Sequence, residues 1–139
     1  MSVEIVFPLE FLVHGTPISL QAKRRASVED WKRTVLQASY AVLPEGHFST
    51  DGPIAVTLFY FPANEMQGDI DNIVKPVIDA LCPHIYADDR QVERILVQKF
   101  EPGKAFPFDR DSEILATALT ARRPVLYIRL SDNPSERLA

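Results

Sequence analysis

The sequence predicts an α+β fold, a single domain over residues 1–139 in which helices pack on a mixed β-sheet. Three observations lead to it. With 139 residues and 46% hydrophobic content, the chain is the size of one domain and long enough to bury a core of its own. Stretches that alternate apolar and polar positions, rich in β-branched and aromatic residues, mark strands. Between them lie stretches whose apolar residues recur at helical spacing.

Residues 3–13 alternate as a first strand, and Pro8 either places that strand at a sheet edge or divides it in two. Gly15, Thr16 and Pro17 supply turn chemistry. Residues 21–26 (QAKRRA) form a compact basic patch. Ser27 is the expected N-cap of a helix, with Glu29 and Asp30 favouring the positive end of its dipole. Trp31, Val35, Ala38 and Val42 form its apolar stripe, which assigns Trp31 to the core, and the helix stops before Pro44. Residues 45–52 are a loop, and 53–62 (PIAVTLFYFP) are a strand that delivers the chain to a short polar loop, 63–68.

The next stretch, GDIDNIVKPVIDALCPHIYADDRQV from Gly68 to Val92, places its charges in a pattern that packing alone does not require. In an extended segment Asp69 and Asp71 share a face, with Ile70 turned inward. Ile73, Val74, Val77, Ile78 and Leu81 then make one stripe of a helix. Asp71 or Asn72 is the expected N-cap, and Pro76 requires the helix to start no earlier than Asp71. Lys75 and Asp79 are four apart and so are neighbours on the polar face. Asp88 and Asp89 open a strand over 91–100, which together with the strand before Asp69 places the acids at one end of a sheet.

Several converging carboxylates are hard oxygen ligands and suit Mg²⁺ or Mn²⁺ rather than zinc. A phosphate at the start of the helix would meet free N–H groups and a positive dipole end. The stretch therefore reads as a divalent-cation site acting on phosphate. An EF-hand loop counted from Asp69 would need Gly at Val74 and Glu at Ala80, so that reading fails. The plainer alternative is a capped helix with a solvated acidic face. For Asp79, that alternative amounts to an ion pair with Lys75.

The pattern D-x-D-N-x-x-K-x-x-x-D-x-L, six residues, then D-D-x-Q-V resembles the signature of the RusA family of Holliday junction resolvases. Here it falls on Asp69, Asp71, Asn72, Lys75, Asp79, Leu81, Asp88, Asp89, Gln91 and Val92. The match is tight in the middle of the chain and loose around Gly15, Pro17 and Ser19 and the segments after them. The resemblance implies a RusA-like fold, a homodimer, and Mg²⁺-dependent nicking of four-way DNA junctions, with Mn²⁺ able to substitute. It makes Asp69, Asp71 and Asp89 the metal ligands and, with Lys75, the catalytic set. Asp88 either supports the ligands from behind or caps the turn.

Beside that site, Lys23, Arg24 and Arg25, with Lys32 and Arg33 on the helix that follows, are assigned to DNA phosphates over the plainer reading of a solvated loop. The net charge of −4 runs against a nucleic-acid partner, but local clustering matters more for docking a phosphate backbone than the total does. Junction resolution needs two matched cuts, and a two-fold dimer presents two equivalent sites to a substrate of approximate two-fold symmetry.

No apolar run approaches the ~20 residues that span a membrane, and the acidic, alternating start is unlike a signal peptide. The single cysteine, Cys82, fits a reducing, cytoplasmic setting and has no neighbour that would make it a nucleophile. His14, His47 and His84 share no ligand spacing and are assigned structural or surface roles. Toward the C-terminus, residues 112–121 have helical composition with a period that also fits a broken strand. Set against the family it resembles, the segment 103–123 looks like an insertion, whose phenylalanines, Phe106 and Phe108, either cover the sheet or meet a dimer partner. Arg122 and Arg123 end it, as a phosphate contact or a helix C-terminal pair. Residues 124–130 are the last strand and 131–139 are expected to fray. Two other functional classes remain open: a nuclease for other branched DNA or RNA, and a non-catalytic junction-binding module.

Overall fold

The computed structural model describes residues 3–19, 24–66, 68–104 and 112–137. Strand β1 spans Leu9–His14, helix α1 Arg25–Ser39, β2 Ile54–Phe61, α2 Asp71–Leu81, β3 Val92–Lys99, α3 Glu113–Thr120 and β4 Val125–Ser131, with a short 3₁₀ turn at Asp89–Gln91 before β3. The four strands form one sheet in the order β1-β4-β2-β3. β4 pairs antiparallel with both β1 and β2, whereas β2 and β3 run parallel. The expected mixed sheet with helices on it is what the chain forms.

Burial follows strand position. Central β2 and β4 are buried along almost their whole length, which explains why their sequences read as continuous apolar runs. Edge strands β1 and β3 alternate instead. The larger core lies between one face of the sheet and the pair α1–α2, where Trp31, Val35, Ile73, Val77, Ile78 and Leu81 meet Val56, Leu58 and Ile128. Trp31 is 5% exposed, which places it in the core as expected. A smaller cluster on the opposite face joins Leu115 and Ala118 of α3 to Phe61, Phe100 and Tyr127. Ser112 caps α3 by accepting from the Leu115 N–H at 3.0 Å, which resolves 112–121 as a helix that covers the sheet. Phe106 and Phe108 lie outside the described residues.

Several boundaries differ from expectation. Pro8 divides the first strand: β1 begins at Leu9, and Val3 makes only an isolated parallel bridge to His47. α1 begins at Arg25, with Arg24 rather than Ser27 at the N-cap and no side-chain cap at all. It ends at Ser39, after which turns carry Val42 onto the core. The segment expected to fray is tied down as far as it is described. The Arg129 guanidinium pairs with the Glu136 carboxylate, and Arg94 donates to the carbonyls of Pro134 and Glu136 at 2.6 and 2.9 Å. A polar tail has nothing to bury, so charge-assisted bonds to two strand arginines supply the attachment that apolar contact cannot.

The Arg129 guanidinium holds the Glu136 carboxyl below its ordinary value of 4.5. A depressed folded-state pKa adds stability above the unfolded value and loses it as pH falls through the folded one. Glu136→Gln should therefore destabilise the chain by about 1 kcal/mol at pH 7 in urea unfolding. The difference from the unsubstituted chain should vanish as pH falls below 4.5. A pH-independent difference would place the stabilisation elsewhere.

Candidate active site

The polar face of α2 follows from its apolar one. Ile73, Val77, Ile78 and Leu81 are buried against the sheet and α1, so Asp71, Lys75 and Asp79 line up at i, i+4 and i+8 on the outer side. The chain turns into this helix through Gly68, whose φ of +83° lies in the left-handed region that favours glycine. The N-cap is Ile70, not Asp71 or Asn72, and no side chain caps the helix. Two tight bonds close the start instead, Asn72 N–H to Asp69 C=O at 3.2 Å and Ile73 N–H to Ile70 C=O at 3.1 Å. The carboxylate of Asp71 is thereby free of capping duty. Among the described residues, neither Asp69 nor Asp71 engages its carboxylate in a hydrogen bond or ion pair, and both are exposed.

Asp88 and Asp89 have different duties. Asp88 caps the 3₁₀ turn, accepting from the Arg90 N–H at 2.9 Å, and that bond together with the Arg90 side chain holds its carboxyl below the ordinary aspartate value. Gln91 completes a capping box and reaches further. Its Oε1 accepts from the N–H groups of Ala87 and Asp88, each at 2.8 Å, while its Nε2 donates to the carbonyls of Thr50 and Gly52 at 2.9 and 2.8 Å. The loop before β2 is thus fastened to the turn before β3. Thr50 N–H adds a bond to Ile85 C=O at 2.8 Å, and His47 bridges the carbonyls of Pro44 and His84.

Asp89, released from capping, faces α2. Lys75 Nζ donates to Asp79 Oδ1 at 2.7 Å and to Asp89 Oδ2 at 3.0 Å. Those two bonds, the first the stronger, raise the ammonium above the ordinary lysine value, so it stays charged at neutral pH. Lys32 of α1 lies 4.0 Å from Asp79 Oδ2 and 3.8 Å from Glu29. An open hollow of about 440 Å³ beside this chain of charges is lined by Asp79, Cys82, Ala87, Asp88 and Asp89. Burial and the neighbouring Asp89 push the Cys82 thiol up, which favours its protonated form.

The structure therefore brings Lys75, Asp79 and Asp89 together and leaves Asp69 and Asp71 at the start of the same helix. Parallel pairing sets that spacing: the end of β2 and the start of β3 lie at opposite ends of the sheet, and α2 runs between them. The acids are strung along α2 and not gathered at one sheet end as expected. Among the described residues, no three His, Cys, Asp or Glu side chains stand close enough to hold a metal ion. In chemical kind the set still suits a hard cation. Asp69 and Asp71 are uncommitted carboxylates, and Asp89 is exposed beside Lys75 and Cys82.

Of the five basic residues assigned to DNA, Arg24 and Arg25 are exposed at the start of α1, and Lys23 lies outside the described residues. Lys32 already faces Glu29 and Asp79, and Arg33 pairs with Asp30 at 2.9 Å. Arg123 takes neither expected role: it donates to the carbonyls of Phe100 and Pro62 at 2.6 and 3.3 Å and lies over the Phe61 ring. His47 and His84 meet edge to face at 4.5 Å, and burial holds His84 below its ordinary value, a structural pairing as expected. Gln91 is the site residue whose work sequence reasoning missed. Its only signal was a glutamine three residues after Asp88, the spacing of a capping box.

Exposed carboxylates and a lysine stand in line on one helix carried by a mixed sheet, groups of a kind that can meet a cation and a phosphate oxygen. The family model for endodeoxyribonuclease RusA matches residues 15–106, and the chain belongs to that family of hydrolases acting on DNA. No curated protein matches the chain.

Gln91→Ala removes four bonds to backbone groups at once. It should cost about 1–3 kcal/mol in denaturant unfolding. Amide exchange should quicken at Ala87, Asp88 and Thr50 before the core opens. Unchanged protection at these amides would show that the turn stands without Gln91.

Proposed function

We propose that this protein is a Mg²⁺-dependent, structure-selective endonuclease of the cytoplasm that resolves four-way DNA junctions by paired, symmetric cuts, in recombination and repair. The observation that carries the reading is Lys75 Nζ held between Asp79 and Asp89, one helical turn from the uncommitted Asp71. Membership of the RusA family supplies the class of reaction and the junction substrate.

Asp69, Asp71 and Asp89 stand apart here and would hold the cation by swinging their exposed side chains toward it, with Mn²⁺ able to substitute. When bound, it supplies positive charge against the scissile phosphate and acidifies the attacking water. The chain's own groups do the rest. Lys75 keeps its proton because two carboxylates face it, so its ammonium is ready to donate to the phosphate oxygen or the leaving oxygen as charge grows there. Asp79 anchors that ammonium, and Lys32 offsets the charge of Asp79 from the other side. Asp88 and Gln91 hold the turn that carries Asp89, whose carboxylate faces Lys75 and Cys82. Arg24 and Arg25, with Lys23, would meet the DNA backbone beside the site. Lys32 and Arg33 would reach phosphate only by exchanging their carboxylate partners. A homodimer would present two such sites to a substrate of matching symmetry, and each site would cut one strand.

The test uses a labelled synthetic four-way junction and a linear duplex of the same sequence, with Mg²⁺ and with EDTA. Paired nicks on the junction alone, abolished by EDTA and by Asp71→Asn, are the expected outcome. Equal cutting of both DNAs would discard junction selectivity. Lys75→Met should slow cutting by about 100-fold or more. Because the pairs it breaks are exposed, its stability should change by less than about 1 kcal/mol. Full turnover per folded molecule in that variant would remove Lys75 from the mechanism.

A further inference from the structure

A second hollow opens where β2 ends and the loop toward Asp69 begins. It holds about 250 Å³, and the buried Tyr60, whose hydroxyl bonds with Thr16, forms its inner wall. Pro17, Pro62 and Pro124 supply flat apolar sides, while Asn64 and Glu65 stand exposed among its lining residues. The wall is fixed from behind. Glu101 accepts from the Met66 N–H at 2.8 Å, and Arg123 holds the Pro62 carbonyl. We propose that this hollow receives a single unstacked nucleobase of the DNA substrate, from a nucleotide within a few positions of the cut.

Size, chemistry and place favour that occupant. A whole drug-sized ligand needs about 300–1,000 Å³, so this hollow suits one ring system and not a nucleotide with its sugar and phosphate. Among the described residues no lysine or arginine lines it, and the carboxylate of Glu65 would repel a phosphate, which favours the base over the backbone as the part of DNA it accepts. The prolines offer apolar faces against which a base can lie, with the buried Tyr60 as the floor, and an amide with a carboxylate can pair the edge of a base that donates and accepts. Met66 in the lining precedes Asp69 by three residues, so the chain allows at most about 11 Å between them. That is about three stacked nucleotides at about 3.4 Å each. Extruding a base is easiest where it has already lost a partner, and a branch point is such a place. The proposal rests on the assignment of cleavage to the Asp69–Asp71 end of α2 and adds a base-reading contact to it.

The experiment places 2-aminopurine singly at each of the three nucleotides on either side of the cut in a four-way junction. The chain carries Asp71→Asn so that the DNA stays whole, and anisotropy follows binding in the same cuvette. One position should brighten several-fold, and Ala63→Phe, which adds a ring to the hollow's lining, should abolish the rise while binding persists. Glu65→Ala, at an exposed residue, should keep the fold. In the otherwise unaltered chain, it should flatten base preference at that nucleotide by about ten-fold. Bound junction that stays dark at every position overturns the proposal, as does a rise untouched by Ala63→Phe in folded protein. Loss of junction binding before either substitution would sink the junction reading and the pocket with it.

Discussion

Strands β2 and β3 lie side by side and parallel, so the chain cannot join them with a tight turn and must travel back along the sheet between them. α2 makes that return, and everything chemical in the middle of the sequence is a consequence of its path. Its apolar stripe is committed to the sheet and to α1, which leaves one outward row: Asp71, Lys75, Asp79. The residues that re-enter the sheet at β3 pass alongside the same row, and Asp89 meets Lys75 there. A hairpin between the two strands would have brought the acids together without a lysine among them.

The row is an alternation of charge as much as a cluster of acids. Lys32, Asp79, Lys75 and Asp89 follow one another at 4.0, 2.7 and 3.0 Å. Each carboxylate there has a cation, whereas Asp69 and Asp71 have none among the described residues. In a chain of net charge −4, that is an unusual place to leave two exposed acids side by side. Electrostatics alone would favour a lysine nearby. The positive end of the α2 dipole softens their charge only locally. Two unpaired carboxylates at one helix start therefore leave a defined attraction for positive charge, which a hard cation meets and a phosphate does not.

Most of this was legible in the sequence, and what was not shares a cause. The strand at β2, the limit that α2 starts no earlier than Asp71 and the alignment of Lys75 with Asp79 come from periodicity and from Pro76, which are local signals. The split of the first strand at Pro8 is local too. The errors concern partners and directions that a segment's own composition does not announce. Arg94 and Arg129 capture the tail from 40 and 7 residues away, and no pattern in 131–139 announces that. Placing the acids at one end of the sheet required knowing whether β3 runs with β2 or against it, which the strands' own composition does not say. Ser27 looked like a cap because of its type, but the helix starts two residues before it without a side-chain cap, with Val28 buried in its first turn.

Two kinds of bond hold Asp89, and they respond to different things. Gln91 fixes its turn through four bonds to neutral backbone groups, which neither salt nor a change of ionisation near neutrality disturbs. Lys75 holds its side chain through a solvent-exposed ion pair, which ions in solution weaken and compete for. The backbone of the turn is therefore set independently of the charges it carries. A cation or a phosphate oxygen can take over from Lys75 or from Asp89 Oδ2 while the turn, the loop over residues 44–52 and the start of β3 stay where they are. A site whose charged contacts are replaced in use needs its scaffold held by uncharged ones, and Gln91 supplies them.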